Sequence, residues 1–118
     1  MLQSLFGRRT ATASNVKQMR AKELWEELQN GNAPLLVDVR TPQEFEWDGH
    51  IAGARLLPLQ VLAQRHHELP KDQPIVCVCR SGNRSQVACE QLAAMGFDDL
   101  TNLSGGMMGW KSSGLPTE

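Results

Sequence analysis

The sequence predicts a single α/β domain with a central, mostly parallel sheet of about five strands flanked by helices on both faces. Three observations lead there. Helical and strand signals alternate along the chain, with no internal repeat. The runs Leu35–Val39, broken only by Asp38, and Ile75–Val78 are apolar at successive positions, as strands covered on both faces are. At 118 residues the chain fits one domain, and its 41% hydrophobic share supplies a core.

The elements follow in order. Val16–Met19 reads as a short first strand. Ala21, Leu24, Trp25 and Leu28 fall at i, i+3, i+4 and i+7, one helical stripe that Asn30-Gly31 ends. Arg20 stands where a Ser, Thr or Asp cap is expected. After the Leu35–Val39 strand, Thr41-Pro42-Gln43-Glu44 reads as a capping box with proline at the first helical position, and that helix should stop near Asp48-Gly49. Ala54–Leu57 is a further strand. Pro58 opens a third helix with Leu59, Leu62 and Ala63 inward, ending before Pro70. Ile75–Val78 carries the strongest strand signal and is expected at the sheet centre. Gly82-Asn83 marks a turn. From Ser85 the period is helical, with Ala88, Leu92 and Met95 on one stripe and Gly96 as the stop. Leu100–Leu103 is the last strand, and a short segment with Met107, Met108 and Trp110 leads to Ser113-Gly114-Leu115-Pro116.

Charge and cysteine content narrow the function. A net charge of −1 gives no bulk drive toward nucleic acid or anionic membranes. No apolar run approaches the ~18 residues that span a bilayer. Residues 1–15 contain Arg8-Arg9, several Ser and Thr, and no acids. They read as a flexible N-terminal tail, although a short organellar presequence has the same composition; the stretch after the arginine pair is too polar for a twin-arginine signal. Three cysteines with no export signal read as free thiols in a reducing compartment, the cytoplasm. Cys77-x-Cys79 lacks the spacing of a zinc site, so no metal or organic cofactor is expected.

The informative unit is strand, then Cys79-Arg80-Ser81-Gly82-Asn83-Arg84, then helix. Such a loop aims successive backbone N–H groups at one point, and the helix adds its positive end. Those surroundings lower a cysteine pKa and leave a thiolate as nucleophile. Arg80 and Arg84 add charge that cannot be titrated away at neutral pH. The cup suits a substrate that is anionic and electrophilic at sulfur. Cys77, mid-strand, and Cys89, flanking the apolar stripe of the helix after the loop, read as core, although Cys77 shares strand parity with Cys79. His50 reads as bonded to backbone within a packed connector. His66-His67 reads as solvated surface. Trp25, Trp47 and Trp110 read as packing residues, with Trp110 a candidate for the pocket rim, and Met107-Met108 as either core or a docking patch.

The Cys79–Arg84 segment resembles the active-site loop of the rhodanese family. Leu36-Val37-Asp38-Val39-Arg40, Glu44-Phe45, Gly49–Ala54, Leu103–Gly106, Trp110 and Gly114-Leu115-Pro116 resemble that family's other motifs in order, over roughly residues 16–116. The resemblance implies one rhodanese-like domain over 16–118. It implies a sulfurtransferase in which Cys79 carries sulfane sulfur from thiosulfate or a related persulfide donor to cyanide, a thiol or a sulfur-accepting protein. Arg80 and Arg84 would attract and orient the donor, and Arg84 would also hold the loop closed. Backbone groups of Ser81, Gly82, Asn83 and Arg84 would hold the sulfur, and Asp38 and Arg40 would brace neighbouring loops. Two rivals share the scaffold: a non-catalytic binding module, and a small phosphatase or arsenate reductase. The latter use a loop one residue longer.

Overall fold

Ile75–Val78 (β4) is buried at every residue and lies at the centre of the sheet, in a chain described here by a computed structural model over residues 15–118. The N-terminal tail expected over residues 1–15 lies, but for Asn15, outside those residues. Five strands, Lys17–Met19 (β1), Leu35–Asp38 (β2), Arg55–Leu56 (β3), β4 and Leu100–Leu103 (β5), run in the order β1-β5-β4-β2-β3. Every pairing is parallel, with Asp38 beside Val78 and Cys77 beside Asn102. β4 and β5 have the expected bounds, while the other three strands are trimmed by one or two residues.

Side-chain alternation splits the core into two layers. Val37, Ile75, Cys77 and Leu100 meet Leu62 of the helix Leu59–Arg65 (α3) and Ala88, Cys89 and Leu92 of the helix Asn83–Ala94 (α4). Leu36, Val76, Val78 and Leu103 meet Ala21 and Leu24 of Ala21–Gln29 (α1) and Met107 and Trp110 of Gly106–Ser112 (α5). Parallel strands with both faces covered explain the unbroken apolar runs. The short helix Pro42–Trp47 (α2) begins as expected: Thr41 Oγ1 accepts from the Glu44 N–H at 3.2 Å, and the Thr41 N–H donates to Glu44 Oε1 at 3.0 Å. α1 starts at Ala21 despite Arg20, because the Glu23 carboxylate accepts the Arg20 N–H.

Several expectations need correction. α4 begins at Asn83, two residues before Ser85, because Gly82 adopts φ 102° and turns the chain into the helix at once. Ala63 is exposed; α3 turns only Leu62 fully inward, with Leu59 half-buried. Trp47 is 85% exposed at the end of α2, which buries no residue, so it packs against nothing substantial. Met107 is core while Met108 is exposed, so the pair divides. His67 is exposed as expected, but His66 is half-buried with its ring edge-on to Phe97.

Candidate active site

The carboxyl ends of β2, β4 and β5 converge on one place. Val39 N–H donates to the Val78 carbonyl at 2.9 Å, which ties the β2 exit to the end of β4. From the other side, the Met107 N–H donates to the Cys79 carbonyl at 2.8 Å and the Met108 N–H to the Arg80 carbonyl at 3.0 Å. Gly106 lies so close beneath this segment that a Cβ on it would sit 2.5 Å from the Cys79 and Arg80 carbonyl oxygens. The Gly105-Gly106 pair is thus the floor on which the 79–84 loop rests.

At the centre is the Cys79 sulfur. It accepts from the Gly82 N–H at 3.1 Å, the Ser85 N–H at 3.3 Å and the Ser85 hydroxyl at 3.2 Å. The residue is only 1% exposed, and its Cβ side adjoins the apolar layer of Val37, Val39 and Ala88. Burial pushes the thiol pKa up, but bonds from the Ser85 hydroxyl and from the Ser85, Gly82 and Ser81 amides outweigh it and hold the thiol below its ordinary 9.0. Hydrogen bonds to the charged form are what favour a thiolate here.

Ser85 was not among the residues the sequence singled out. Of the four amides expected to hold the transferred sulfur, those of Gly82 and Ser81 also act on the Cys79 sulfur itself. The early start of α4 also brings the Ser85 amide and hydroxyl, one residue past the loop, to that sulfur. A serine directly after the loop arginine was the available signal.

The cations are arranged differently from one another. Arg84 Nη1 and Nη2 donate to the two Glu44 oxygens at 2.8 and 2.7 Å. The Arg84 guanidinium, more than the Thr41 contacts, holds the Glu44 carboxyl down to about 2. Glu44 therefore does more than cap α2. Arg40 Nε and Nη2 bond the Asp38 carboxylate at 2.9 and 2.8 Å inside the core, and Nη2 also reaches the Gly49 carbonyl at 2.9 Å. That buried pair ties the β2 exit to the turn after α2. Arg80 is exposed and, among the described residues, is paired with no carboxylate. With Lys111, Met108 and Asp48 it borders a depression of about 230 Å³ beside the loop.

Other candidates fall elsewhere. Trp110 is fully buried, and its indole N–H donates to the Pro116 carbonyl at 2.8 Å, away from the loop. His50 Nδ1 lies 2.9 Å from the Phe45 carbonyl and its ring stacks on Phe45, so it is held by backbone as expected. Cys77 and Cys89 are fully buried. Contact with Cys89, followed by burial, pushes the Cys77 thiol well above its ordinary value. Among the described residues no cluster of His, Cys, Asp and Glu has the arrangement of a metal site, and no helix is long and apolar enough to cross a membrane.

Comparison with known proteins decides the kinship. Residues 20–113 match the family described as the rhodanese-like domain. The chain belongs to that family. This rhodanese-like domain is 40% identical over 101 residues to a sulfurtransferase of Allochromatium vinosum, a match covering 86% of the chain and 94% of that protein. It is 37% identical over 87 residues to the thiosulfate sulfurtransferase GlpE of Pseudomonas putida, covering 74% and 78% respectively. The crystal structure of a rhodanese-like domain protein from Staphylococcus aureus matches it with a TM-score of 0.78 at 32% identity, over 87% of this chain and 99% of that one. The kinship supports sulfur transfer as the class of chemistry.

Proposed function

We propose that the domain, over residues 16–118, is a sulfurtransferase that carries one sulfane sulfur on Cys79. The observation that carries this reading is the set of three donors around Sγ, at 3.1, 3.2 and 3.3 Å. Donors so placed stabilise a thiolate without a histidine base, and the thiolate is the form that attacks sulfur. In the loading step the Cys79 thiolate attacks the outer sulfur of thiosulfate. A new S–S bond forms as the S–S bond of the donor breaks, and sulfite leaves with the bonding electron pair. The product, Cys79–S–S⁻, then gives its outer sulfur to a thiolate or to cyanide, and the Cys79 thiolate is restored.

The remaining groups support that cycle. Arg80, exposed and without a carboxylate partner among the described residues, meets the anionic donor. Arg84 fixes the start of α4 through Glu44, and its charge adds to the field at Cys79. The Asp38–Arg40 pair holds the neighbouring loop. Neither a metal nor an organic cofactor enters any step. Three free thiols suit a reducing compartment such as the cytoplasm.

Sulfite release measures the loading step. With thiosulfate and no acceptor, one equivalent of sulfite per chain is expected in a single burst, and Cys79→Ser should release none. Absence of sulfite release from thiosulfate and of thiol release from a low-molecular-weight persulfide, with turnover of an aryl phosphate instead, would move the assignment to a phosphatase.

A further inference from the structure

Asn102 is a polar residue on an apolar face. It lies on β5 between Gln18 and Cys77 in register, is 4% exposed, and shares its layer with Leu100 and Ile75. A buried amide in that place needs partners, and it has three. Nδ2 donates to the Gly82 carbonyl at 3.2 Å and to Gln18 Oε1 at 3.0 Å, while the Ser85 hydroxyl lies 2.5 Å from Oδ1. The Gly82 carbonyl can only accept, so it fixes which way the amide faces. Oδ1 is therefore an acceptor aimed at Ser85.

Ser85 has one hydroxyl hydrogen and two acceptors within reach, Asn102 Oδ1 at 2.5 Å and Cys79 Sγ at 3.2 Å. While Cys79 is a thiol, its S–H can donate to Ser85 Oγ and the Ser85 hydroxyl to Asn102, so every group is satisfied. When Cys79 ionises, the charged sulfur is the stronger acceptor and draws the hydrogen away. Oδ1 is then left buried without it, 2.5 Å from an oxygen lone pair. Sulfur loading reverses this: Sγ becomes a neutral bridging atom, the charge moves to the outer sulfur, and the hydroxyl can return to Asn102.

We infer that Asn102 is a positioning residue that competes with the Cys79 sulfur for the Ser85 hydroxyl, and so favours the sulfur-loaded state over the empty thiolate. The inference takes its meaning from the sulfur-carrying role of Cys79 proposed above, but its first readout does not depend on it. Around this sulfur the titratable and charged groups are Cys77 on β4, Arg80 on the loop, and the pairs Arg84–Glu44 and Asp38–Arg40. Among the described residues none of them hydrogen-bonds to Ser85 or Asn102, so the competition can be tested by itself.

The test is the pH profile of Cys79 alkylation by iodoacetamide on the full chain. Asn102→Ala should lower the midpoint by about half to one pH unit, since the hydroxyl is released to the sulfur. In a Ser85→Ala background the same change should leave the midpoint where it is. A raised or unchanged midpoint in Asn102→Ala, or an equal fall without Ser85, overturns the inference, because a purely structural role would loosen the cup and raise it. If Asn102→Ala does not fold, Asn102→Leu, which fills the same space without an acceptor, decides: it must lower the midpoint, and a rise or no change overturns the inference. Above its midpoint, Asn102→Ala should also load from thiosulfate about threefold more slowly, its thiolate being better hydrogen-bonded. Failure of every variant and of the wild type to load would count against the sulfur-carrying role, while the midpoints would still judge Asn102.

Discussion

Arg84 and Glu44, forty positions apart in sequence, are joined by two parallel bonds of 2.8 and 2.7 Å. The pair links the first turn of the helix after the cysteine loop to the first turn of the helix after β2. Because it is partly screened by solvent, it is expected to contribute about 1–2 kcal/mol rather than the full value its charge shift implies.

Glu44→Gln keeps the shape and removes the charge. The Glu44 carboxyl is held at about 2 in the fold against an ordinary 4.5, so its contribution is complete above 4.5 and is lost as pH falls through that window. Urea denaturation should show Glu44→Gln less stable than wild type by about 1–2 kcal/mol at neutral pH, with the difference falling to less than about half near pH 3. A difference that stays constant with pH would mean the pair does not act through charge.

Gly106→Ala tests the floor of the loop. The added methyl would lie 2.5 Å from two backbone carbonyl oxygens, and φ at this position is +55°. Backbone cannot yield as a side chain can, so a loss of about 2–4 kcal/mol is expected, with the Cys79 loop displaced. Gly109→Ala, where a Cβ meets nothing within 4 Å, is the control and should change little. Thermal melts of the two variants make the comparison.

The three thiols should differ sharply. At neutral pH only Cys79 is expected to react with iodoacetamide in the folded protein, because the Gly82 and Ser85 donors favour its thiolate while Cys77 is pushed away from ionisation. Peptide mapping should find a single modified cysteine before denaturation and three after. Modification of Cys77 in the native state would show that the α4 layer opens over β4.

Much of this was legible from residue type and spacing. The β2 and β4 runs announced strands covered on both sides, and Thr41–Glu44 announced a capped helix that forms. The cysteine loop stood out because a thiol, two arginines and a glycine sit between a strand and a helix. What could not be read is what the third dimension supplies. Nothing in a single sequence pairs Glu44 with Arg84 or sets Asn102 against Ser85, since those contacts depend on strand order and on the turn at Gly82. The same turn explains the shifted helix start and the arrival of Ser85 at the Cys79 sulfur. Trp47 was misplaced because a large aromatic suggests burial, while α2 is too short and too peripheral to bury one.

The most direct test of the central claim is the intact mass of the protein after incubation with thiosulfate and removal of small molecules. The account predicts a gain of about 32 Da, one sulfur atom, that is reversed by cyanide and absent in Cys79→Ser. An unchanged mass under conditions where Cys79 is alkylated readily, or a gain that persists in Cys79→Ser, would contradict it.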